Sequence, residues 1–164
     1  MKSHWNITII TVCCLAFLLQ CNQQQTSSDT AADEAAFRSI NNSWFKAYNA
    51  GDVDAIVALY AEDAVVSAPG VPAARGHAAI HELITNDIAD AKAAGTTDNE
   101  GEMNDVGVSG NLGWEWGTFT VTDQSGDTVD QGKYVSVFAR RDRKWLIIRD
   151  IWNSDGPMQM SEME

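Results

Sequence analysis

The segment from Gly132 to Asp155 places the strongest constraint on how this chain can fold. Two arms rich in β-branched and aromatic residues flank the charged run from Arg141 to Lys144. Such arms favour strands, and a short polar cluster between them is typical of a tight turn. The segment therefore predicts a β-hairpin.

The length of its loop sets the register of this hairpin. With two or four loop residues, Val135 faces Asp150 and Lys133 faces Trp152, and directly opposed residues share a face of the sheet. A three-residue loop would move one arm to the opposite face. Both faces are rich in apolar residues, so both are expected to be covered, and a homodimer is the expected way to cover the second.

Residues 1–20 have the pattern of a secretion signal. Lys2 precedes an apolar run that is too short to cross a bilayer, and a polar Gln- and Ser-rich tract follows Cys21. The sequence LLQC resembles a bacterial lipobox, although Gln20 stands where a small residue is usual. These features predict export to the bacterial cell envelope, with a lipid anchor on Cys21 and a flexible tether over 21–30; the alternative is a signal whose cysteine is incidental.

Composition excludes several classes of site from the exported part. Its cysteines all lie in or at the edge of the signal, at positions 13, 14 and 21, so no disulfide, zinc–thiolate site or cysteine nucleophile is expected. Without residues 1–20 the net charge is about −13. This acidic balance argues against nucleic acid and against anionic lipid surfaces, and leaves the lipid anchor as the expected membrane contact.

The remaining chain has the length of one domain, predicted at 31–157 with a frayed tail at 158–164. Helical spacing of apolar residues, capping residues and turn residues divide this domain into elements. In order, these are helices at 31–50, 53–60 and 77–94 with a short strand at 64–68, then strands at 100–108 and 111–122 before the hairpin. Helices followed by an antiparallel meander predict an α+β fold.

Alternation in the strand NLGWEWGTFTVT separates two sets of side chains. Trp114 and Trp116 fall on one face, and Gly113, Glu115 and Gly117 fall on the other.

Four stretches together resemble a known family. WFKAYNAGDVDAIVALYAEDAVVSAPG, RGHAAI, WEWGTF and the hairpin segment are similar in order and character to the SnoaL-like, ketosteroid-isomerase-like branch of the nuclear-transport-factor-2-like superfamily. The resemblance spans about 33–155. It implies a strongly bent antiparallel sheet wrapped by three N-terminal helices, which together form a cone with an internal pocket, often paired into dimers through the sheet. The family includes isomerases, cyclases and dehydratases as well as catalytically inert association domains.

Asp150 is the first candidate for chemistry. Asp150 is a carboxylate in a strand, and Ile148 and Trp152, two positions away on either side, have the apolar character of core residues. An unpaired buried charge is costly. Asp150 therefore needs a partner, a raised pKa or a solvated pocket, each of which suits a general acid or base. The predicted register makes Lys133 its diagonal neighbour. The alternative is an ion pair that only holds the last strands together.

Other candidates come from the aromatic residues and from Glu115. Tyr48 lies where the resemblance places a phenol that stabilises an oxyanion, although the position also suits core packing. Glu115 is a second possible carboxylate if it points inward, or a solvated residue if it does not. Four tryptophans are candidates for the pocket wall or for the core: Trp44, Trp114, Trp116 and Trp152.

His77 and His81 share a helix face at a spacing that can hold a metal, but no third ligand is evident and no metal is predicted. No organic cofactor is implied either. The expectation is a domain that binds a small, largely apolar molecule. The alternatives are a cofactor-independent proton-transfer enzyme that uses Asp150, Tyr48 and Lys133, and a non-catalytic dimerising module.

Overall fold

A computed structural model describes residues 26–156 of the chain. The predicted signal peptide, the lipidation site at Cys21 and the tail 158–164 lie outside the described residues. The packing described below lies within the unit that begins at Ala36. No helix among the described residues has the length and apolar character needed to cross a membrane.

Residues 26–156 contain three helices, which lie before or between the first strands in the chain: α1 (Thr26–Ala50), α2 (Val53–Val57) and α3 (Gly76–Ala93). Residues 26–30, which the sequence assigns to a tether, belong to α1. Helix α1 ends at Ala50, the predicted position, and Gly51 follows it with a positive φ of 73°. Asp52 caps α2 through a 3.0 Å hydrogen bond from the backbone N–H of Ala55. Helix α2 is shorter than predicted, because Tyr60 already belongs to the first strand.

Six strands form one sheet within the described residues: β1 (Tyr60–Ser67), β2 (Ala74–Arg75), β3 (Thr96–Ser109), β4 (Leu112–Asp123), β5 (Thr128–Arg141) and β6 (Lys144–Ser154). Their order is β2-β1-β6-β5-β4-β3. The α+β class and the curved sheet are confirmed. The prediction of an antiparallel sheet is correct for every strand pair but one, since β1 pairs with β6 in parallel. The segment between β1 and β6 contains β2, α3 and the strands β3 to β5, and a connection of this length allows the two strands to run in the same direction.

The hairpin of β5 and β6 turns on Asp142 and Arg143, both of which have positive φ angles of 49° and 66°. Such a two-residue loop matches the twist of the strands it joins. Next to the turn the predicted register is correct, with Arg140 opposite Trp145.

Further along, the predicted register is wrong by one residue. Val137 pairs with Arg149 and Phe138 with Ile147, so Ile148 is an extra residue in β6. This β-bulge places Asp150 opposite Ser136 rather than opposite Val135. The inward face of β5 therefore carries Tyr134, Ser136 and Phe138.

The hydrophobic core lies between the helices and this inward face. Phe37 of α1 stacks on Phe138, with ring centroids 4.2 Å apart and planes 8° from parallel. Helix α3 contributes three buried isoleucines at helical spacing: Ile80, Ile84 and Ile88. Aromatic stacking and aliphatic burial thus fix the helices over one face of the sheet.

The opposite, outer face of the sheet remains accessible to solvent. The predicted alternation in β4 is confirmed, since Glu115 is buried while Trp114 and Trp116 are 42% and 40% exposed. Ile151 of β6 is also exposed and lies in the row of Trp116, through Val135. Two of the four tryptophans considered for the pocket wall therefore lie on the outside.

Candidate functional site

A cavity of about 570 Å³ lies between α1, α3 and the inward face of strands β3 to β6. Aromatic side chains from the helix and from the sheet form much of its wall: Trp44, Phe45, Tyr48, Phe119, Tyr134 and Trp152. A mostly apolar cavity of this size with a few polar groups is typical of a small-molecule site.

A polar row crosses the floor of this cavity. Glu115 of β4, Ser136 of β5 and Asp150 of β6 oppose one another on three adjacent strands, with Val106 and Val66 at the two ends of the row. Since neighbouring strands lie about 4.8 Å apart, the Cα atoms of Glu115 and Asp150 are separated by roughly 10 Å. Both carboxyl groups line the cavity.

Asp150 is held by two hydroxyl groups. The Ser136 hydroxyl donates to Oδ1 at 3.0 Å, and the Tyr60 hydroxyl donates to Oδ2 at 2.6 Å. Tyr60 in turn accepts a 3.0 Å hydrogen bond from the indole Nε1 of Trp44. Burial raises the pKa of Asp150, and the bonds from Tyr60 and Ser136 oppose that shift. Asp150 thus has hydroxyl partners rather than an ion-pair partner.

Glu115 has one satisfied oxygen and one free oxygen. Its side chain is 2% exposed, and Oε1 accepts a 3.2 Å hydrogen bond from Nδ2 of Asn41. Oε2 has no hydrogen-bond partner among the described residues. Burial raises the pKa of Glu115 to about 7; the bond from Asn41 lowers it, and the negative charge of Asp150 raises it further.

Tyr134 belongs to the neighbouring row, opposite Gly117 and Trp152. Its hydroxyl oxygen accepts a short hydrogen bond from Asn41. Burial raises the pKa of Tyr134, and the charge of Glu115 adds to the effect. The phenol therefore keeps its proton, which is available for donation into the cavity.

Tyr48 lines the side of the cavity and donates a 2.7 Å hydrogen bond to Oδ2 of Asp87 on α3. Burial and the neighbouring Asp87 both raise the pKa of Tyr48. Burial also raises the pKa of Asp87, while the bond from Tyr48 opposes that rise. The Tyr48 proton is thus already engaged, on the wall opposite the polar row.

The structure brings together only some of the predicted site residues. Asp150, Glu115, Trp44, Tyr48 and Trp152 all line the cavity. Trp114 and Trp116 do not, because they lie on the outer face.

Lys133 is also absent from the cavity wall. Lys133 lies on the outer face of β5, where its ammonium group pairs with Asp155, and the bulge at Ile148 places Asp150 on the opposite, inward face. The predicted diagonal contact between Lys133 and Asp150 is therefore wrong.

The two histidines have other partners. Nε2 of His77 lies 3.0 Å from the carbonyl oxygen of Tyr60, and Nε2 of His81 lies 3.4 Å from a carboxylate oxygen of Asp54. Over residues 26–156, no group of three His, Cys, Asp or Glu side chains has metal-binding geometry.

Five residues of the site were missed at the level of sequence: Asn41, Tyr60, Asp87, Tyr134 and Ser136. A signal existed for two of them. Asn41 interrupts the apolar stripe of α1 between Phe37 and Trp44, and Asp87 interrupts that of α3 beside Ile84 and Ile88. A polar residue on a buried helical stripe points either to a hydrogen-bond partner or to a cavity.

Comparison with known proteins identifies the family. A model of the SnoaL-like domain matches residues 42–148, which include most of the cavity wall and the first two members of the polar row. The chain belongs to the SnoaL-like domain family. No curated protein matches the chain.

Solved structures show the same fold at low sequence identity. A ketosteroid isomerase-like protein from Erwinia carotovora atroseptica is 20% identical with a TM-score of 0.61, covering 75% of this chain and 96% of its own. A nuclear-transport-factor-2-like protein with a cystatin-like fold from Novosphingobium aromaticivorans is 22% identical with a TM-score of 0.67, covering 84% and 86%.

A putative aromatic ring hydroxylase, also from Novosphingobium aromaticivorans, is 20% identical with a TM-score of 0.61, covering 77% of this chain and 92% of its own. At these identities the likeness establishes the fold alone. SnoaL-like domains of this fold often bind small molecules or act as enzymes, so the site of this chain has to be argued from its own residues.

Proposed function

We propose that this SnoaL-like domain binds a small, largely apolar molecule in its internal cavity. The observation that carries the proposal is the cavity of about 570 Å³, walled by aromatic rings and floored by the buried row Glu115, Ser136 and Asp150. The aromatic wall supplies apolar contact area, and the row supplies a few fixed polar groups that orient a ligand.

Native mass spectrometry with a cavity-filling variant tests this proposal. Ala91 of α3 lines the cavity, whereas Ala93 on the same helix is exposed and does not. We expect the chain from a bacterial host to carry a bound small molecule or to take up an apolar fluorescent dye. Ala91→Phe should abolish this binding, and Ala93→Phe should leave it unchanged. Absence of binding in the original chain, or equal binding by both variants, would contradict the proposal.

A second function, proton transfer without metal or organic cofactor, is favoured by the position of Asp150. This carboxyl group is buried, has a raised pKa and reaches the cavity. Asp150 would act as the acid or base, as the sequence suggested. Tyr134, whose proton is not donated to a described residue, is better placed than Tyr48 to stabilise an oxyanion beside it. Lys133 has no part in this arrangement.

Hydrogen exchange into ketones with acidic α-hydrogens tests proton transfer. We expect the protein to accelerate deuterium incorporation from solvent, and Asp150→Asn to reduce the rate to background. Asp155→Asn, which changes an exposed carboxylate just after the end of the same strand, should retain the rate. Failure of every ketone, or full activity of Asp150→Asn, would refute this second function and leave the binding proposal in place.

The partner and location of the domain follow as further parts of the proposal. Two copies are proposed to pair through the outer face of the sheet, where Trp114, Trp116 and Ile151 are exposed. The chain is proposed to be exported and anchored through Cys21, which lies outside the described residues.

A further inference from the structure

Glu115 lines the cavity and has a free carboxylate oxygen whose surroundings define a complementary group. Glu115 is almost fully buried, so its Oε2 cannot be satisfied by bulk solvent. Among the described residues nothing donates to Oε2, although Oε1 is bonded to Asn41. A buried carboxylate oxygen without a donor is costly, and a ligand that supplies a donor removes that cost.

The charged groups around Glu115 favour a positive donor. Glu115 lies near Asn41 and Arg38 of α1, Tyr134 of β5 and Asp150 of β6. The charge of Arg38 lowers the pKa of Glu115, and the charge of Asp150 raises it. The charged residues that line the cavity as a whole are mostly acidic: Asp87, Asp90, Asp98, Glu115, Asp130 and Asp150, against Lys92. Lys92 is exposed and its ammonium group lies beside Gly51. An anionic ligand would meet net repulsion in this cavity.

The aromatic wall favours the same kind of ligand. Trp44 stacks on Tyr48 with ring centroids 5.2 Å apart, and Phe45 meets Tyr134 edge to face. The faces of such rings attract cations as well as apolar groups. Aromatic rings together with a free buried carboxylate oxygen are the combination that recognises an apolar amine.

We propose that the ligand of this cavity is an apolar amine whose ammonium group binds Oε2 of Glu115. This inference rests on the proposed binding function and adds the chemical class of the ligand. The aromatic wall holds the apolar body, and Glu115 selects the charge.

Binding of an ammonium group should change the protonation of Glu115. In the free domain the pKa of Glu115 is about 7, so near that pH part of the population carries a proton on this carboxyl. An ammonium group favours the ionised carboxylate and lowers the pKa. Amine binding near pH 7 should therefore release up to about half a proton per site, and the affinity should fall as the pH is lowered further.

The test uses three probes with one aromatic body on the full chain produced by a bacterial host: 1-naphthylmethylamine, 1-naphthalenemethanol and 1-naphthoate. We expect the amine to bind at least about tenfold more tightly than the alcohol at pH 7.5, and naphthoate to bind most weakly, because a charge-assisted hydrogen bond is stronger than a neutral one. Glu115→Gln should reduce the preference for the amine to less than about threefold, since the carboxamide keeps the shape and removes the charge. Glu102→Gln, the same change at an exposed position, should leave it unchanged.

Calorimetry in buffers of different ionisation enthalpy adds a measurement that a merely structural role for Glu115 would not alter. Proton release should accompany binding of the amine to the original chain, and should be absent for the alcohol and for Glu115→Gln. An alcohol that binds as tightly as the amine, or a preference that survives Glu115→Gln, overturns the amine proposal while the binding function stands. If none of the three probes binds, both proposals fail.

Discussion

Three carboxyl groups inside this domain show how burial controls chemistry at the scale of single residues. Burial raises the pKa of Asp87, Glu115 and Asp150, and each is partly stabilised by a neighbouring hydroxyl or amide donor. Glu115 differs from the other two because it has a buried oxygen with no donor among the described residues. It is therefore the carboxyl group whose protonation should be most sensitive to ligands and to substitution.

The stability of the domain should depend on the protonation of Glu115. Its pKa is about 7 in the fold against an ordinary value near 4.5, so folding favours the protonated form. The contribution is present in full below about pH 4.5 and is lost as the pH rises through 7. We expect Glu115→Gln to be more stable than the original chain at pH 8, by about 1 to 3 kcal/mol, and to gain less at pH 5.

Urea denaturation at pH 5, 6, 7 and 8 measures this difference. Asp87 and Asp150 titrate in the same direction, so the variant should keep some pH dependence and lose only the part due to Glu115. Glu102→Gln serves as the control at an exposed position. Identical pH slopes for Glu115→Gln and the original chain would show that Glu115 does not titrate as described.

At the scale of elements, β4 contributes Glu115 to the polar row, and its glycines leave space for aromatic rings. Gly113 and Gly117 flank Glu115 on the inward face, and each is covered by an aromatic ring. A Cβ on Gly117 would lie 2.4 Å from Cζ of Tyr134 and 2.3 Å from the backbone carbonyl oxygen of Glu102. A side chain at this position is therefore excluded by backbone as well as by the ring.

Gly117→Ala should destabilise the domain by about 1 to 3 kcal/mol, because the added methyl group forces Tyr134 and strand β3 to move. Thermal unfolding followed by circular dichroism measures the loss, and the near-ultraviolet spectrum reports the displaced ring. Thr118→Ala, at the next and outward-facing position of β4, should have a much smaller effect. Equal stability of the two variants would show that the sheet adjusts without cost.

The elements differ in how far they could be predicted from sequence. The hairpin turn, the alternation of β4 and the end of α1 at Gly51 each depend on local residue types, and each was predictable. The extra residue Ile148 was not, since a bulge inserts an ordinary strand residue and leaves no mark in composition. Lys133 and Asp150 were consequently assigned to one face, and Ser136 and Tyr60 were missed as the partners of Asp150.

At the scale of the whole molecule, the sheet has one face covered by helices and one face exposed. Trp114, Trp116, Val135 and Ile151 lie close together on the exposed face, in neighbouring rows of three paired strands. Clustered apolar side chains on an accessible sheet favour association with another surface.

We therefore expect the domain to form a dimer that depends on this face. Trp116→Glu should shift the mass measured by light scattering from two chains towards one, because a charge at the interface centre remains unpaired. Val71→Glu, at an exposed apolar residue outside the sheet, should leave the mass unchanged. Circular dichroism checks that both variants fold. A monomeric original chain would contradict the expectation.

Attachment to the cell envelope should depend on Cys21. A lipid chain on this residue would hold the acidic domain at a membrane that its charge does not favour. We expect Cys21→Ser to move the protein from the membrane fraction to the soluble fraction and to abolish incorporation of labelled palmitate. An original chain that incorporates no palmitate would refute the anchor.

The extra residue in β6 changes which side chains of the rest of this strand face the cavity. Every side chain after Ile148 is assigned to the face opposite the one that unbroken alternation would give it. If Ile148 instead paired with Val137 in an unbroken ladder, Ile151 would face the cavity, and Asp150 and Trp152 would face solvent. Deleting Ile148 removes the extra residue and leaves Asp150 opposite Ser136, so the fluorescence of Trp152 should not shift to the red. The acidic character of the site thus depends on the bulge at Ile148, as well as on which residues the chain contains.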